Sequence, residues 1–256
     1  DDLEHPIWMF LQLLLARRAG QYSTEPFREW IDAALARGGV SGFGPLMTPT
    51  DSAAQVKSRL KVVVSDITHG QMLVLPDDLK EGAREGFSIA EAVRLSMSIP
   101  LFFEPGRLAA DEIRIQEEPA AKSSAVIVDG GILSNFPVWL FDADPGRRPR
   151  WPTFGFRLVD RATSLPRRIG GPVGLSIAMF ETMRTAHDRR ISQLKRSRTI
   201  DIDLTDVIAA HKIRVTSFTL SNEAKDALYT AGYACARDFF LNRWNWQEHL
   251  QARGFS

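Results

Sequence analysis

The chain has 256 residues, of which 44% are hydrophobic and 25% are charged, and this is enough to bury the core of one large domain. Its formal net charge of +1 provides no bulk field that would favour nucleic acid as a partner. Its one cysteine, Cys235, excludes an intramolecular disulfide, and no apolar run reaches the roughly 18 residues that a membrane-spanning helix needs. We therefore expect a soluble protein, cytoplasmic or secreted, with no transmembrane segment.

Residues 1–50 predict a helical, cap-like segment. Apolar residues at helical spacing predict one helix over 7–18 and a second over 23–39. The second helix has boundary signals of its own, since a hydroxyl residue at 23–24 can cap its first turn and the glycines at 38–39 can end it.

Two strands and a helix are predicted next. The Val-rich run 59–68 predicts a buried strand, and 71–76 predicts a second strand after a turn at Gly70. A helix is predicted over 87–100, where Ser88 to Glu91 has the pattern of a capping box.

Strands and helices alternate over the rest of the chain. Strands are predicted over 124–131, 152–159, 198–204 and 212–218, and helices over 137–142, 173–195 and 221–244. The last helix carries an apolar stripe made of Leu228, Ala231, Cys235 and Phe239. Continuous apolar strands alternating with helices indicate an α/β fold, so we expect residues 51–256 to form a central, mostly parallel sheet flanked by helices.

One carboxylate, Asp129, stands at the end of an apolar run and is followed by Gly130 and Gly131. Asp-Gly between apolar segments is typical of a tight hairpin turn, because both residues tolerate positive φ. The pattern also suits an active site, because sites in open α/β sheets lie at strand ends. A carboxylate there can accept or orient a nucleophile's proton, and the glycines admit backbone and substrate. The residues alone leave both interpretations open.

A serine nucleophile on a strand-to-helix elbow needs the pattern Gly-x-Ser-x-Gly, which the sequence lacks. Ser41 lies in a loop where the second glycine comes one place early, and Ser88 is explained as a helix cap. Ser96 and Ser98 alternate with apolar residues near a helix end, which favours simple packing. We assign none of these serines as the nucleophile and keep Ser41 as a weak alternative.

No metal site, phosphate site or cofactor is predicted. The five histidines are scattered, His-Glu-x-x-His and Cys-x-x-Cys patterns are absent, and so are glycine-rich phosphate loops. Asp201, Asp203 and Asp206 resemble the start of a calcium loop but lack its glycine and its closing glutamate. We expect them to be acids on an exposed strand face.

Two features bear on membrane contact. The basic run from Arg184 to Arg198 predicts a solvated helix face, with anionic lipid headgroups as the alternative contact. The aromatic cluster of Phe239, Phe240, Trp244 and Trp246 predicts half-buried packing, with anchoring at a membrane interface as the alternative.

Three segments in a fixed order carry a more specific signal: LKVVVSDITHGQMLVLPDDL, FSIAEAVRLSMSIPLFFEP and IVDGGILSNFPVWLF. Together they resemble the bacterial branch of the patatin-like phospholipase family, over about residues 25–245. The resemblance implies a patatin-like fold and a lipid acyl hydrolase that uses a Ser-Asp dyad without histidine. Asp129 matches the family's dyad aspartate, and Gly130 and Gly131 match the rest of that motif.

The sequence departs from the family's pattern because it has neither a glycine-rich oxyanion loop nor a nucleophile elbow. The resemblance therefore implies that both lie in an N-terminal segment that is not shown, or in a separate N-terminal fragment, or are missing. The expected partners are a lipid or ester substrate, a peripheral membrane contact and such an N-terminal fragment, but not nucleic acid. The alternative to the enzyme is an inactive protein of the same fold that binds a lipid surface or a partner.

Overall fold

The computed structural model describes residues 20–49, 56–114, 124–134, 136–142, 147–161, 198–213 and 219–255. The chain divides into two compact units, residues 1–135 and 136–256. The predicted division at residue 50 stays a prediction, because residues 1–19 and 50–55 lie outside the described residues.

The first unit contains eight described strands and three described α-helices. Its strands are β1 (Gly20–Tyr22), β2 (Met47–Pro49), β3 (Val56–Ser58), β4 (Val62–Asp66), β5 (Gln71–Leu75), β6 (Leu101–Phe103), β7 (Gly106–Leu108) and β8 (Ala125–Asp129). Its helices are α1 (Glu25–Arg37), α2 (Glu81–Arg84) and α3 (Ile89–Ser96), with 3-10 turns at Gly44–Leu46 and Gly130–Ile132. The strands predicted over 59–68, 71–76 and 124–131 and the helices predicted over 23–39 and 87–100 are confirmed.

A four-stranded sheet in the order β5-β4-β8-β7 forms the centre of the first unit. Every neighbouring pair in it is antiparallel, and Val64 on β4 stands opposite Asp129 on β8. One face of the sheet packs in a buried cluster with α3; the cluster includes Val62, Val64, Leu73, Leu75, Ala125, Ile127, Ile89, Ala92 and Leu95. Each Val, Leu or Ile of this cluster contributes about 1.5–3 kcal/mol on full burial, so the cluster holds the strand that ends at Asp129.

The mostly parallel order predicted for the central sheet is found only in part. Among the described residues, the parallel pairs are β1 with β6, and β9 with β10 of the second unit. All three pairs of the largest sheet are antiparallel, and for β4 and β5 the reason is the tight turn at residues 67–70, which a parallel pair does not allow.

Helices α1 and α3 are tied together by Arg94. Its guanidinium binds the Glu91 carboxylate, at 2.8 Å from Nε, and donates to Thr24 Oγ1 at 3.0 Å. Ser88 caps α3 as predicted by accepting from the Glu91 N–H at 3.2 Å. The Glu91 side chain is thus engaged with Arg94, and the ion pair raises the pKa of that guanidinium.

The second unit contains β9 (Gly155–Val159), β10 (Thr199–Asp203), α4 (Thr205–His211), α5 (Asn222–Asp238), a π-helical turn (Phe239–Arg243) and α6 (Trp246–Gln251). The stripe predicted on the last helix is confirmed, because Leu228, Ala231, Cys235 and Phe239 pack with Ile200, Ile202 and Leu204 of the strand region. The short helix predicted over 137–142 is wrong, since this stretch is a run of turns after Pro137.

Several predictions concern residues outside the described ranges. The helices predicted over 7–18 and 173–195, most of the strand over 212–218, and most of the basic run that ends at Arg198 belong to this group. Among the described residues, no helix is long and apolar enough to cross a membrane.

Candidate functional site

Asp129 is the last residue of β8, at the point where a buried strand reaches half-buried surroundings. The two residues before it, Ile127 and Val128, are almost entirely buried. Successive side chains of a strand point to opposite faces of the sheet. The burial of these two neighbours therefore fixes the direction in which the Asp129 side chain points. The predicted position of this carboxylate at the end of a strand is confirmed.

Three hydrogen bonds with described residues hold Asp129 in position. Its N–H donates to the carbonyl of Ser98 at 3.0 Å, and its carbonyl accepts from Ser65 Oγ at 2.9 Å. The carboxylate oxygen Oδ1 accepts from the N–H of Gly131 at 2.6 Å. A carboxylate that accepts a backbone N–H is held in one orientation and is stabilised in its charged form.

Gly130 lets this corner of the chain lie directly against β4. A Cβ at residue 130 would stand 2.0 Å from the carbonyl oxygen of Val63, which is far inside van der Waals contact. The glycine is therefore required by close approach of two backbones. This explains one of the two glycines that follow Asp129.

The hairpin alternative for Asp-Gly is wrong. Asp129 begins the 3-10 turn Gly130–Ile132, and the N–H of Ser134 donates to the Gly130 carbonyl at 3.0 Å. No described strand pairs back onto β8 through a two-residue turn at this point. The strand thus ends in a 3-10 turn whose Gly131 N–H donates to the Asp129 carboxylate.

The serines considered in the sequence have structural contacts in the described residues. Ser96 Oγ donates to the Val63 carbonyl at 2.8 Å, and Ser98 Oγ donates to the Arg94 carbonyl at 2.8 Å. Ser88 caps α3, while Ser41 is exposed in the loop after α1. None of the four donates its hydroxyl to Asp129, and no described contact activates Ser41.

Sequence reasoning missed two residues that hold the site, Ser65 and Ser98. Ser65 is fully buried on β4 and Ser98 is fully buried after α3. A signal existed for Ser65, because a hydroxyl inside the apolar run Val62–Ser65 needs a partner once it is buried. Ser98 acts through its backbone carbonyl, so its side chain gave no signal from which that contact could be predicted.

Two acidic side chains of the run in the second unit are paired with arginines. Asp201 is paired with Arg157 at 2.6 Å, and Asp203 is paired with Arg161 at 2.8 Å. Both carboxylates lie on the exposed side of β10, as predicted. Over the described ranges, no group of three or more metal-ligating side chains lies together.

The aromatic cluster of the second unit is half-buried packing, as predicted. Phe154 makes edge-to-face contacts with Phe239, Phe240 and Trp244, at centroid distances of 6.0, 4.9 and 5.3 Å. Phe239 is buried, and Phe240 is partly exposed.

Comparison with known proteins identifies the first unit's motifs. The family model for patatin-like phospholipase matches residues 2–142, a range that includes the β8 strand and the corner at Asp129. The chain belongs to the patatin-like phospholipase family. Family membership makes it a lipid hydrolase at the general level of the family, with a lipid as the implied substrate.

A curated relative extends the similarity into the second unit. The uncharacterized protein YqhO of Bacillus subtilis strain 168 is 36% identical over 248 residues, which cover 94% of this chain and 74% of that protein. The match to the patatin family model ends at residue 142, so the similarity of most of the second unit is to the relative.

Proposed function

We propose that this protein hydrolyses a lipid acyl ester through a Ser-Asp dyad in which Asp129 is the carboxylate and the serine comes from polypeptide outside these 256 residues. The observation that carries the proposal is the fixed Asp129. Its N–H, its carbonyl and Oδ1 are held by Ser98, Ser65 and Gly131 at 2.6–3.0 Å.

This geometry suits proton transfer better than a structural turn. A general base must be oriented before the reaction, and a carboxylate on a rigid strand end meets that need without a histidine to orient it. The buried β8 strand and the close packing of Gly130 on β4 supply the rigidity.

The chemistry then follows in two balanced steps. The serine oxygen attacks the ester carbonyl carbon, its proton passes to Asp129, and the ester alcohol leaves with that proton. Water then attacks the acyl-serine, giving its proton to Asp129, and the free carboxylic acid leaves as the serine regains a proton. The developing oxyanion needs amide donors, each worth about 3 kcal/mol, and these also come from outside the sequence.

The first test is the intact mass of the protein purified from its host, before and after reaction with a fluorophosphonate. The proposal expects one phosphonyl adduct on a species that contains the Asp129 sequence, or on a fragment that purifies with it. A lone 28.7 kDa chain with no adduct contradicts the proposal and favours the inactive lipid-surface or partner-binding alternative.

The second test is turnover of a fluorogenic acyl ester by Asp129→Asn. Loss of the base is expected to lower kcat by at least about 100-fold, because general-base catalysis contributes about 10²–10⁴. Asp111→Asn is the matched control, since Asp111 is an exposed aspartate of the same unit. Equal activity in both variants would remove Asp129 from the mechanism.

A further inference from the structure

A short loop of the second unit carries three arginines and a tryptophan at the surface. Residues 147–151 have the sequence RRPRW and precede strand β9, and they are called the arginine–tryptophan loop below. Arg148 and Arg150 are exposed, while Pro149 between them is buried. Trp151 is 72% exposed. The buried proline, whose ring fixes its φ, holds the loop against the unit and leaves the side chains around it in solvent.

The positive charge of the arginine–tryptophan loop is not neutralised nearby in the chain. No acidic residue occurs between positions 147 and 159. In the same unit, Arg157 pairs with Asp201 at 2.6 Å. Arg148 and Arg150 form no such ion pair with the residues that the structure describes. The loop therefore presents cations that a negatively charged partner can neutralise.

The exposed tryptophan lies beside this charge. The guanidinium carbon of Arg150 stands over the Trp151 ring, 5.7 Å from its centroid, which is within the range of a cation–π contact. A second exposed ring belongs to the adjoining segment, because Thr153 Oγ1 donates to the carbonyl of Phe141, whose side chain is 51% exposed. An indole combines a large apolar ring with one N–H donor, and such rings are enriched at the headgroup level of membranes.

We propose that the arginine–tryptophan loop binds the surface of an anionic phospholipid bilayer. A guanidinium donates in a planar fork that matches a phosphate group, and the exposed indole can enter the headgroup layer beside it. A nucleic acid offers the same phosphates, but family membership implies a lipid as the substrate of this protein. The loop lies beyond residue 142, where the match to the family model ends, so the family model does not describe this contact.

The contact adds a surface to the proposed function. It rests on the proposed hydrolysis of a lipid ester, whose substrate it places in an anionic bilayer, but its measurement needs no turnover. An arginine close to an anionic membrane strengthens binding about fivefold. The attraction is screened by salt, because the charges are exposed.

The experiment is sedimentation of the full chain with vesicles, at low and at high ionic strength. The vesicles contain phosphatidylcholine alone, or phosphatidylcholine and phosphatidylglycerol in equal parts. Binding to the mixed vesicles only, weakened by salt, is the expected result. Arg148→Gln combined with Arg150→Gln should lower the partition coefficient about 25-fold. Trp151→Ser should weaken binding at both ionic strengths, because it removes apolar area rather than charge.

Lys225→Gln combined with Arg237→Gln is the matched control. It removes the same charge from two exposed positions of α5 in the same unit and should bind as the wild type does. An equal loss in both double variants would show that net charge and not the loop governs binding, and it would overturn the inference. So would a wild-type chain that sediments with neither vesicle or equally with both, or wild-type binding by the loop variant. Tighter binding of a single-stranded oligonucleotide than of the mixed vesicles would overturn the assignment of a lipid surface.

Binding and hydrolysis are measured separately. Asp129→Asn should sediment with the mixed vesicles as the wild type does. The loop variant should keep the wild-type melting temperature and the turnover of a water-soluble short-chain ester, because the substituted side chains are exposed. Vesicle binding without hydrolysis would support the loop and contradict the dyad, and hydrolysis without vesicle binding would do the reverse.

Discussion

Two buried groups of this protein, one in each unit, differ in how their polar atoms are satisfied. In the first unit the fully buried carboxylate of Asp66 accepts from the N–H groups of Thr68 and His69, from His69 Nδ1 at 2.7 Å and from Gln71 Nε2 at 3.1 Å. In the second unit the His249 imidazole and the Trp244 indole N–H are buried without hydrogen-bond partners among the residues that the structure describes. The same chain thus saturates one buried acid and leaves an imidazole unsatisfied.

The difference lies between individual sites rather than between the two units as wholes. At the Asp129 corner, the carbonyl and Oδ1 of Asp129 accept from Ser65 Oγ and from the Gly131 N–H, while the buried Ser134 Oγ of the following turn has no partner among the described residues. The second unit also exposes large apolar side chains: Trp151, Phe156, Leu158, Tyr229, Tyr233 and Leu241.

The largest effect is expected from breaking the ion pair between Asp142 and Arg198 in the second unit. Asp142→Asn leaves the Arg198 guanidinium, whose side chain is 3% exposed, without its countercharge. The free energy of unfolding is expected to fall by about 3–5 kcal/mol, because a buried charge then lacks compensation. Urea unfolding, together with hydrogen exchange of the β9 and β10 amides, measures this. Asp206→Asn, on an exposed carboxylate of the same unit, is the control, and equal stability of the two variants would show that the pair contributes nothing.

Gly130→Ala tests the tightest contact of the first unit. The added methyl would meet the Val63 carbonyl at 2.0 Å, so β4 and β8 must separate at the Asp129 corner. A destabilisation of about 3 kcal/mol is expected from overpacking, along with loss of esterase activity. Gly82→Ala has open space around its Cβ and should be neutral or slightly stabilising. Wild-type turnover by Gly130→Ala would contradict the requirement for close packing.

Ser65→Ala sharpens the role assigned to Asp129. It removes the hydroxyl that donates to the Asp129 carbonyl and leaves that carbonyl without this donor. Stability should fall by about 1 kcal/mol, while kcat falls with an unchanged KM because the carboxylate is less well oriented. Ser96→Ala removes a comparable hydroxyl, bonded to the Val63 carbonyl, and is the control for kcat. Equal kcat in the two variants would make Ser65 purely structural.

The smallest expected effect is a dependence of the free energy of unfolding on pH, caused by His249 in the second unit. Burial and the neighbouring arginines hold the pKa of His249 below its usual value. As the pH falls below about 6.5, His249 binds a proton in the unfolded state but not yet in the folded state, so the free energy of unfolding decreases. This contribution to the free energy of unfolding is fully present above about pH 6.5, and it is lost as the pH falls through the lowered pKa of His249.

His249→Phe should remove that part of the pH dependence. Urea unfolding at pH values between 5 and 8 measures it. His211→Gln alters an exposed histidine at the end of α4 and should keep the wild-type slope. A wild-type slope in His249→Phe would mean that other groups set the acid stability.

Much of the fold could be predicted because its signals are local. The Val-rich run of β4, the turn at Gly70 with φ +65°, the Ser88 cap and the apolar stripe of α5 each depend on neighbours in sequence. Direction within the sheet could be predicted in this way only for β4 and β5, because the tight turn at Gly70 requires an antiparallel pair. An apolar strand has the same sequence pattern whether its neighbour runs parallel or antiparallel. The order β5-β4-β8-β7 is therefore known only from the tertiary structure.

The sequence by itself determined that a carboxylate would end a buried strand beside two glycines, because strand length, burial and glycine are properties of adjacent residues. Its motifs also indicated the family that the comparisons show. Only the tertiary structure decided what holds that carboxylate: Ser65 and Ser98 reach Asp129 from 64 and 31 positions away along the chain. The same is true of the unsatisfied His249, since a hydrogen bond that is absent from a buried ring depends on every residue packed around it.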